Sequence, residues 1–228
     1  MPAKRPIRKP VITLAARRKR LLFCKAHETR TVEQWQKVMF SDESTFQVSH
    51  NVKKHVRRPE GSSALSPRYT IKTMKHPQSV MVWGCFSFQG RGALTFLNKG
   101  EHMNTDRYLS ILQEKLSQFM EIHQTEIFQQ DSAPCHVSRK AKSWFVEHDV
   151  ELLDWPGNSP DINPIENLWQ MMKTKLYKRT YRNVEELKAE ILSVWCKEVT
   201  LRECQRLVSS MPRRIKAVIK NRGYPTKY

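Results

Sequence analysis

The sequence predicts a mixed α/β layer in which antiparallel strands come first and βαβ units follow. Three observations predict it. Short apolar runs separated by turn residues fill the stretch from Lys37 to Leu97, amphipathic helical stretches then alternate with short apolar strands as far as Leu153, and everything from Pro164 onward has helical periodicity. At 228 residues the chain is long enough for one large domain or two small ones, and 39% hydrophobic content with six Trp and nine Phe excludes wholesale disorder.

Each element has its own warrant. Residues 1–16 hold three prolines among basic residues and read as an extended arm. Ala15–Ala26 reads as a helix, basic on one side with Leu21, Leu22 and Ala26 on the other, and Thr31–Trp35 as a helix end or turn. Lys37–Asp42 is expected to be a strand ending at Asp42 and pairing across a tight turn with Thr45–Val48. Residues 51–79 form a basic insertion without periodicity, containing Lys53, Lys54, Arg57, Arg58, Arg68, Lys72 and Lys75. Val80–Phe86 reads as a buried strand, and Gly90-Arg91-Gly92 turns the chain into Ala93–Leu97. Asn104 caps a helix with Leu109, Leu112, Leu116 and Phe119 on one face. Glu126–Gln130 is a strand that delivers Asp131, and Val137, Ala141, Trp144 and Phe145 mark the next helix. Val150–Leu153 is a strand, and a proline-rich loop follows. The helix from Pro164 buries Ile165, Leu168, Trp169, Met172 and Leu176. Helices over about 183–198 and 200–220 finish the chain, the first with Leu187, Ile191, Val194 and Trp195 inward. No internal repeat is present.

Charge narrows the function. Of the formal net +18, residues 1–30 contribute +9 and residues 211–228 contribute +6, so the body between them is nearly balanced. Basic ends on a neutral body suit a polyanion, nucleic acid foremost; a solubilising tail or an import signal at Arg17-Arg18-Lys19-Arg20 is the plainer alternative. No apolar run could cross a membrane as a helix, and the N-terminus lacks a secretory pattern. Five cysteines at 24, 85, 135, 196 and 204, with no CxxC pair, argue against a disulfide framework or structural zinc and for a reducing compartment.

Three acids stand where α/β sheets gather chemistry: Asp42 and Asp131 at strand ends, Glu166 in the first turn of a helix. Three hard oxygen ligands suit Mg²⁺ or Mn²⁺, and two such ions roughly 3.5–4 Å apart can serve both oxygens of a phosphodiester displacement. Each acid also has a structural alternative. Asp42 can cap a turn, Asp131 can cap a helix or form an Asx turn, and Glu166 can sit at N3 of a capping box with Asn163 as cap and Pro164 at N1.

Asp131-Ser-Ala-Pro-Cys-His136, followed by Asn158-Ser-Pro-Asp-Ile-Asn-Pro-Ile-Glu-Asn-Leu-Trp169, resembles the catalytic domain of Tc1/mariner-type transposases. Between Asp131 and Glu166 lie 34 residues, the Tc1-branch spacing. Ser41-Asp42-Glu43, Met81–Phe86 and Gly223–Tyr228 match further family segments, so the resemblance spans residues 12–228. It implies a ribonuclease H-like fold, a mixed sheet flanked by helices, with residues 1–30 as basic arm and leading helix and 31–228 as the catalytic domain. It also implies a nuclear enzyme with a metal-binding catalytic triad of Asp42, Asp131 and Glu166. Mg²⁺ or Mn²⁺, two ions, would assist DNA cleavage at transposon ends and strand transfer to target DNA. No covalent intermediate is needed, so Cys135 is read as a packing residue rather than a nucleophile.

The resemblance further implies a homodimer on DNA and a paired helix-turn-helix domain for end recognition, which this chain does not contain. Ser132 stands where the family commonly has Asn, and Lys75–Ser79 replaces a glycine-rich stretch. Candidate DNA contacts are Arg17, Arg18, Arg57, Arg58, Lys173 and Lys175, the two arginines at 57 and 58 also serving as clamp contacts to a partner subunit. His136, Asn163 and Asn167 are candidate supports for the acids, and Trp155 and Trp169 are either base-stacking platforms or core. The rival functions are a truncated or host-adopted remnant that binds DNA without transposing, and an RNA–DNA hybrid nuclease on the same fold.

Overall fold

In the computed structural model, which describes residues 12–48, 57–70 and 78–228, five strands form one mixed sheet. They are β1 (Val38–Gln47), β2 (Ser79–Ser87), β3 (Gly90–Phe96), β4 (Ile127–Gln129) and β5 (Glu151–Leu152), in the order β3-β2-β1-β4-β5. The β1, β2 and β3 pairings are antiparallel, and β4 and β5 add in parallel. This is the expected mixed layer, antiparallel first. The arm 1–11, and Lys53, Lys54, Lys72 and Lys75 of the insertion, lie outside the described residues.

β1 departs from expectation. It is one continuous ten-residue strand, and Asp42 lies in its middle opposite Gly84 of β2 instead of at its end. Ser41-Asp42-Glu43-Ser44 contains no glycine, proline or asparagine to break the strand, and Ser44 and Phe46 are buried on the same face as Phe40. Along β1, β4 pairs only with Val38–Phe40, so from Ser41 onward that edge of β1 is open to side chains.

Alternation along the strands splits the core in two. On one face Val38, Phe40, Phe46, Val80, Val82 and Phe86 pack under α6 (Ile165–Leu176), α7 (Val184–Glu198), α8 (Leu201–Val208) and α9 (Met211–Lys220). On the other, Met39, Trp83, Cys85 and Phe128 pack under α3 (Thr105–Ile111), a π-helical turn Leu112–Leu116, α4 (Ser117–Ile122) and α5 (Arg139–Glu147). Helix starts carry side-chain caps at Asn104, Ser138, Asn183 and Thr200, and the short α2 (Val32–Gln36) opens with a Thr31–Gln34 capping box.

Three helical details correct the sequence reading. α1 (Leu14–Ala26) buries Arg20, Phe23 and Cys24, while Leu22 is exposed. Val137 is exposed and precedes α5, which Ser138 caps. The stretch expected as one helix over 200–220 is two, broken at Ser209-Ser210, with Pro212 in the first turn of α9 where a missing N–H costs nothing.

Candidate active site

Asp42 points to the α6 face of the sheet. There its Oδ2 accepts a 3.2 Å hydrogen bond from Trp169 Nε1. Trp169 can lie that close because Gly84, across from Asp42, has no side chain: a Cβ there would stand 2.7 Å from the indole. The indole is also stacked on Trp195, 5.6 Å between ring centroids, and meets Phe46 edge-on.

Asp131 follows β4 by two residues. β1 and β4 align Phe40 with Gln129, so continuing that register brings Asp131 level with Asp42. Its Oδ1 accepts from the Ala133 N–H at 2.9 Å, the Asx turn foreseen as its plainer role, and lies 2.7 Å from His136 Nδ1. The other ring nitrogen, Nε2, is 3.2 Å from Glu43 Oε1. His136 is buried against the Tyr108 ring at 4.0 Å, with its carbonyl held by Gln130. Burial works against its charge, but the bonds to Asp131 and Glu43 prevail and push its pKa up to about 10. It is therefore an imidazolium between two acids at neutral pH. For Asp131, burial pulls upward, yet His136 and the Ala133 N–H hold the carboxyl below its ordinary value.

Glu166 is the second residue of α6, after Pro164 as cap, so it is not half of a capping box. Asn163 ties the two acid-bearing elements together. Its Nδ2 donates to the Ser41 carbonyl at 3.3 Å, and its Oδ1 accepts from the Ile165 N–H at 3.4 Å. Asn167, the residue after Glu166, takes a short hydrogen bond from Arg214.

The acids repel one another. Burial first, then Glu166, Glu43 and Asp131, push Asp42 well above the usual carboxylate range. Burial likewise raises Glu166, with Lys173 opposing. Lys173 stands two turns along α6 from Glu166, its Nζ 5.4 Å from the Phe46 ring centre; burial lowers its pKa while Glu166 and Asp42 pull it back up. A buried carboxylate such as Asp42, raised by its acidic neighbours, is the setting that a divalent cation relieves, and an all-oxygen set suits Mg²⁺ or Mn²⁺. Among the described residues no group of three or more His, Cys, Asp or Glu stands ready to hold an ion, one oxygen of Asp131 being engaged by His136 and Ala133.

Other candidates are dispersed. Lys175 pairs outward with Glu198 at 3.2 Å. Arg17 is committed to the Arg222 carbonyl and the Tyr224 hydroxyl, while Arg18, Arg57 and Arg58 are exposed. Trp155 and Trp169 are buried, which removes them as stacking platforms for bases. Glu43 was missed as a site residue because a turn was expected where β1 continues; once the strand is known, period-two alternation sends it to the His136 face.

A family model described as DDE superfamily endonuclease matches residues 37–188. The Tc1 transposase of Caenorhabditis elegans is 37% identical over 99% of this chain and 82% of its own length, and the Tcb1 transposase of Caenorhabditis briggsae matches equally well. The chain belongs to the Tc1-type transposases, among the DDE superfamily endonucleases. It is their catalytic domain. In fold it also matches the Mos1 mariner paired-end complex with manganese, at a TM-score of 0.86 and 20% identity over all of this chain and 68% of that one. The isolated Mos1 catalytic domain aligns at 0.73 with 17% identity, over 97% of this chain and all of that one. These likenesses establish the ribonuclease H-like fold expected from the sequence.

Proposed function

We propose that this Tc1-type transposase domain cuts DNA at transposon ends and joins the freed 3′ hydroxyl to target DNA, with Asp42, Asp131 and Glu166 as the catalytic, metal-holding acids. The observation that carries the reading is that Asp42, in mid-β1, is raised by burial and by the charges of Glu166 at the start of α6 and Asp131 just past β4. Two Mg²⁺ or Mn²⁺ ions would supply activation of the attacking oxygen and neutralisation of the leaving one. Asn163 fixes the distance between the Asp42 strand and the Glu166 helix. His136 holds Asp131 in place and balances Glu43. Lys173 reaches past Glu166 to take a DNA phosphate, with Arg18, Arg57, Arg58 and Lys175 as more distant phosphate contacts.

The partners are transposon-end and target DNA, engaged by two copies of the chain, and the setting is the nucleus. Support comes from the basic ends, from the Tc1 relatives, and from the paired-end assemblies of the Mos1 structures. The import-signal reading of Arg17–Arg20 is weakened by Arg20, which is buried. No described helix is long and apolar enough to cross a membrane.

The test is Mn²⁺-dependent nicking of DNA carrying a transposon end. Asp131→Ala is expected to abolish nicking while salt-sensitive DNA binding persists. Nicking that survives in Asp131→Ala would remove Asp131 from the chemistry, and cleavage confined to RNA–DNA hybrids would move the chain to another substrate.

A further inference from the structure

Outside the three acids, a dense hydrogen-bond network centres on Asp161, in the loop that leads into α6. Its carboxylate accepts both Arg20 guanidinium nitrogens at 2.8 Å, and from Thr226 the backbone N–H at 2.8 Å and the hydroxyl at 3.0 Å. Its carbonyl accepts from Arg214 at 2.9 Å. Arg214 also donates to Ser210 at 2.8 Å and, by a short bond, to Asn167, and the Tyr228 ring lies 4.8 Å from its guanidinium. Arg20 donates further to the Gly223 carbonyl at 3.0 Å. Both arginines are at most 1% exposed.

Two buried guanidinium groups on one residue, Arg20 on the Asp161 carboxylate and Arg214 on its carbonyl, are a costly way to gain stability, since apolar side chains of similar volume often do as well. What such a network does supply is fixed geometry. α6 gains from it, because Pro164 brings no capping side chain and the first turn, where Glu166 sits, is capped only by the long 3.4 Å bond from the Ile165 N–H to Asn163. The arginine bonds fall on either side of that turn, on Asp161 before it and Asn167 within it.

We propose that Arg214, acting through Asn167 and the Asp161 carbonyl, is a positioning residue for Glu166, and that Gly223–Tyr228 brace the site from outside. This rests on the reading of Glu166 as a metal ligand. The clasp sets the rotation of the first turn of α6 and so the direction of the Glu166 carboxylate. Arg20 and Thr226 hold Asp161 so that Arg214 has a fixed acceptor.

The test is Mn²⁺ binding to the intact chain, followed by electron paramagnetic resonance, with thermal unfolding in parallel. Wild type is expected to bind Mn²⁺ in a manner lost in Glu166→Gln. Asn167→Ala removes the acceptor and is expected to weaken Mn²⁺ binding of the folded protein by about tenfold, the size of effect seen when ligand supports are removed, with a lower melting temperature because buried Arg214 loses a partner. Asn167→Asp restores the acceptor and should restore affinity. Binding lost in Glu166→Gln but unchanged in Asn167→Ala would overturn the positioning role and leave the metal site standing. A lower melting temperature with unchanged affinity of the folded protein would reduce the clasp to a structural brace and overturn it too. Binding indifferent to Glu166→Gln would overturn the metal reading and the positioning role together.

Discussion

His136 is the residue on which the local electrostatics turn. A neutral imidazole could not answer Asp131 and Glu43 at once, whereas an imidazolium donates to Asp131 from Nδ1 and faces Glu43 as an ion pair 3.2 Å from Nε2, and its pKa near 10 follows from that position. His136→Ala leaves two acids facing each other without a cation. It is expected to cost about 1–2 kcal/mol in urea denaturation, the low side of a charge-assisted hydrogen bond because Asp131 is 45% exposed. An unchanged unfolding midpoint would show that solvent already screens the two acids. At this scale the sequence was informative about the acids, since residue type and the Asp131–Glu166 motif single them out. It was silent about Glu43 and about the role of Trp169 as donor to Asp42, because both depend on which face of β1 each side chain takes.

Among elements, β1, β2 and α6 form a unit in which a missing side chain makes room for a large one. Gly84→Ala would drive a methyl group to within 2.7 Å of the Trp169 ring, displacing the indole that bonds Asp42. Overpacking of this kind costs typically about 1–3 kcal/mol. The expected result is a lowered melting temperature together with a changed Trp fluorescence spectrum; a variant matching wild type in both would mean that the indole has room to shift. α6 was legible because apolar positions at helical spacing named its five buried residues. β1 was not, because polar residues in mid-strand mimic a turn unless their partners across the sheet are known. The break between α8 and α9 was marked by Ser209, Ser210 and Pro212, but proline in a first turn is compatible with one helix or two.

At the level of the whole molecule, α1 and the C-terminal segment meet on the loop before α6. Arginine at position 20 of a basic helix reads as surface, so only the folded chain reveals its bonds to Asp161, 141 residues away. Burial would raise the Asp161 carboxyl, but Arg20 and Thr226 hold it below its ordinary value. A depressed carboxyl contributes stability that is fully present above the unfolded value, about pH 4, and is lost as pH falls through the folded value. Asp161→Asn should therefore lower stability at neutral pH and flatten its acid dependence, which chemical denaturation at several pH values would measure; a parallel shift at every pH would contradict the linkage. The basic ends divide in role as well. Arg18→Ala should reduce the salt dependence of DNA binding by about one phosphate contact in fluorescence anisotropy, whereas Arg17→Ala, losing its bonds to Arg222 and Tyr224, should appear in stability. An unaltered salt slope in Arg18→Ala would take α1 off the DNA path. The most direct measurement for the whole account is Mg²⁺- or Mn²⁺-dependent joining of a pre-cleaved DNA 3′ end to plasmid, with wild type beside Glu166→Gln. Joining by wild type and none by Glu166→Gln is the predicted result. Equal joining by both would contradict the assignment of the three acids as the site of phosphoryl transfer.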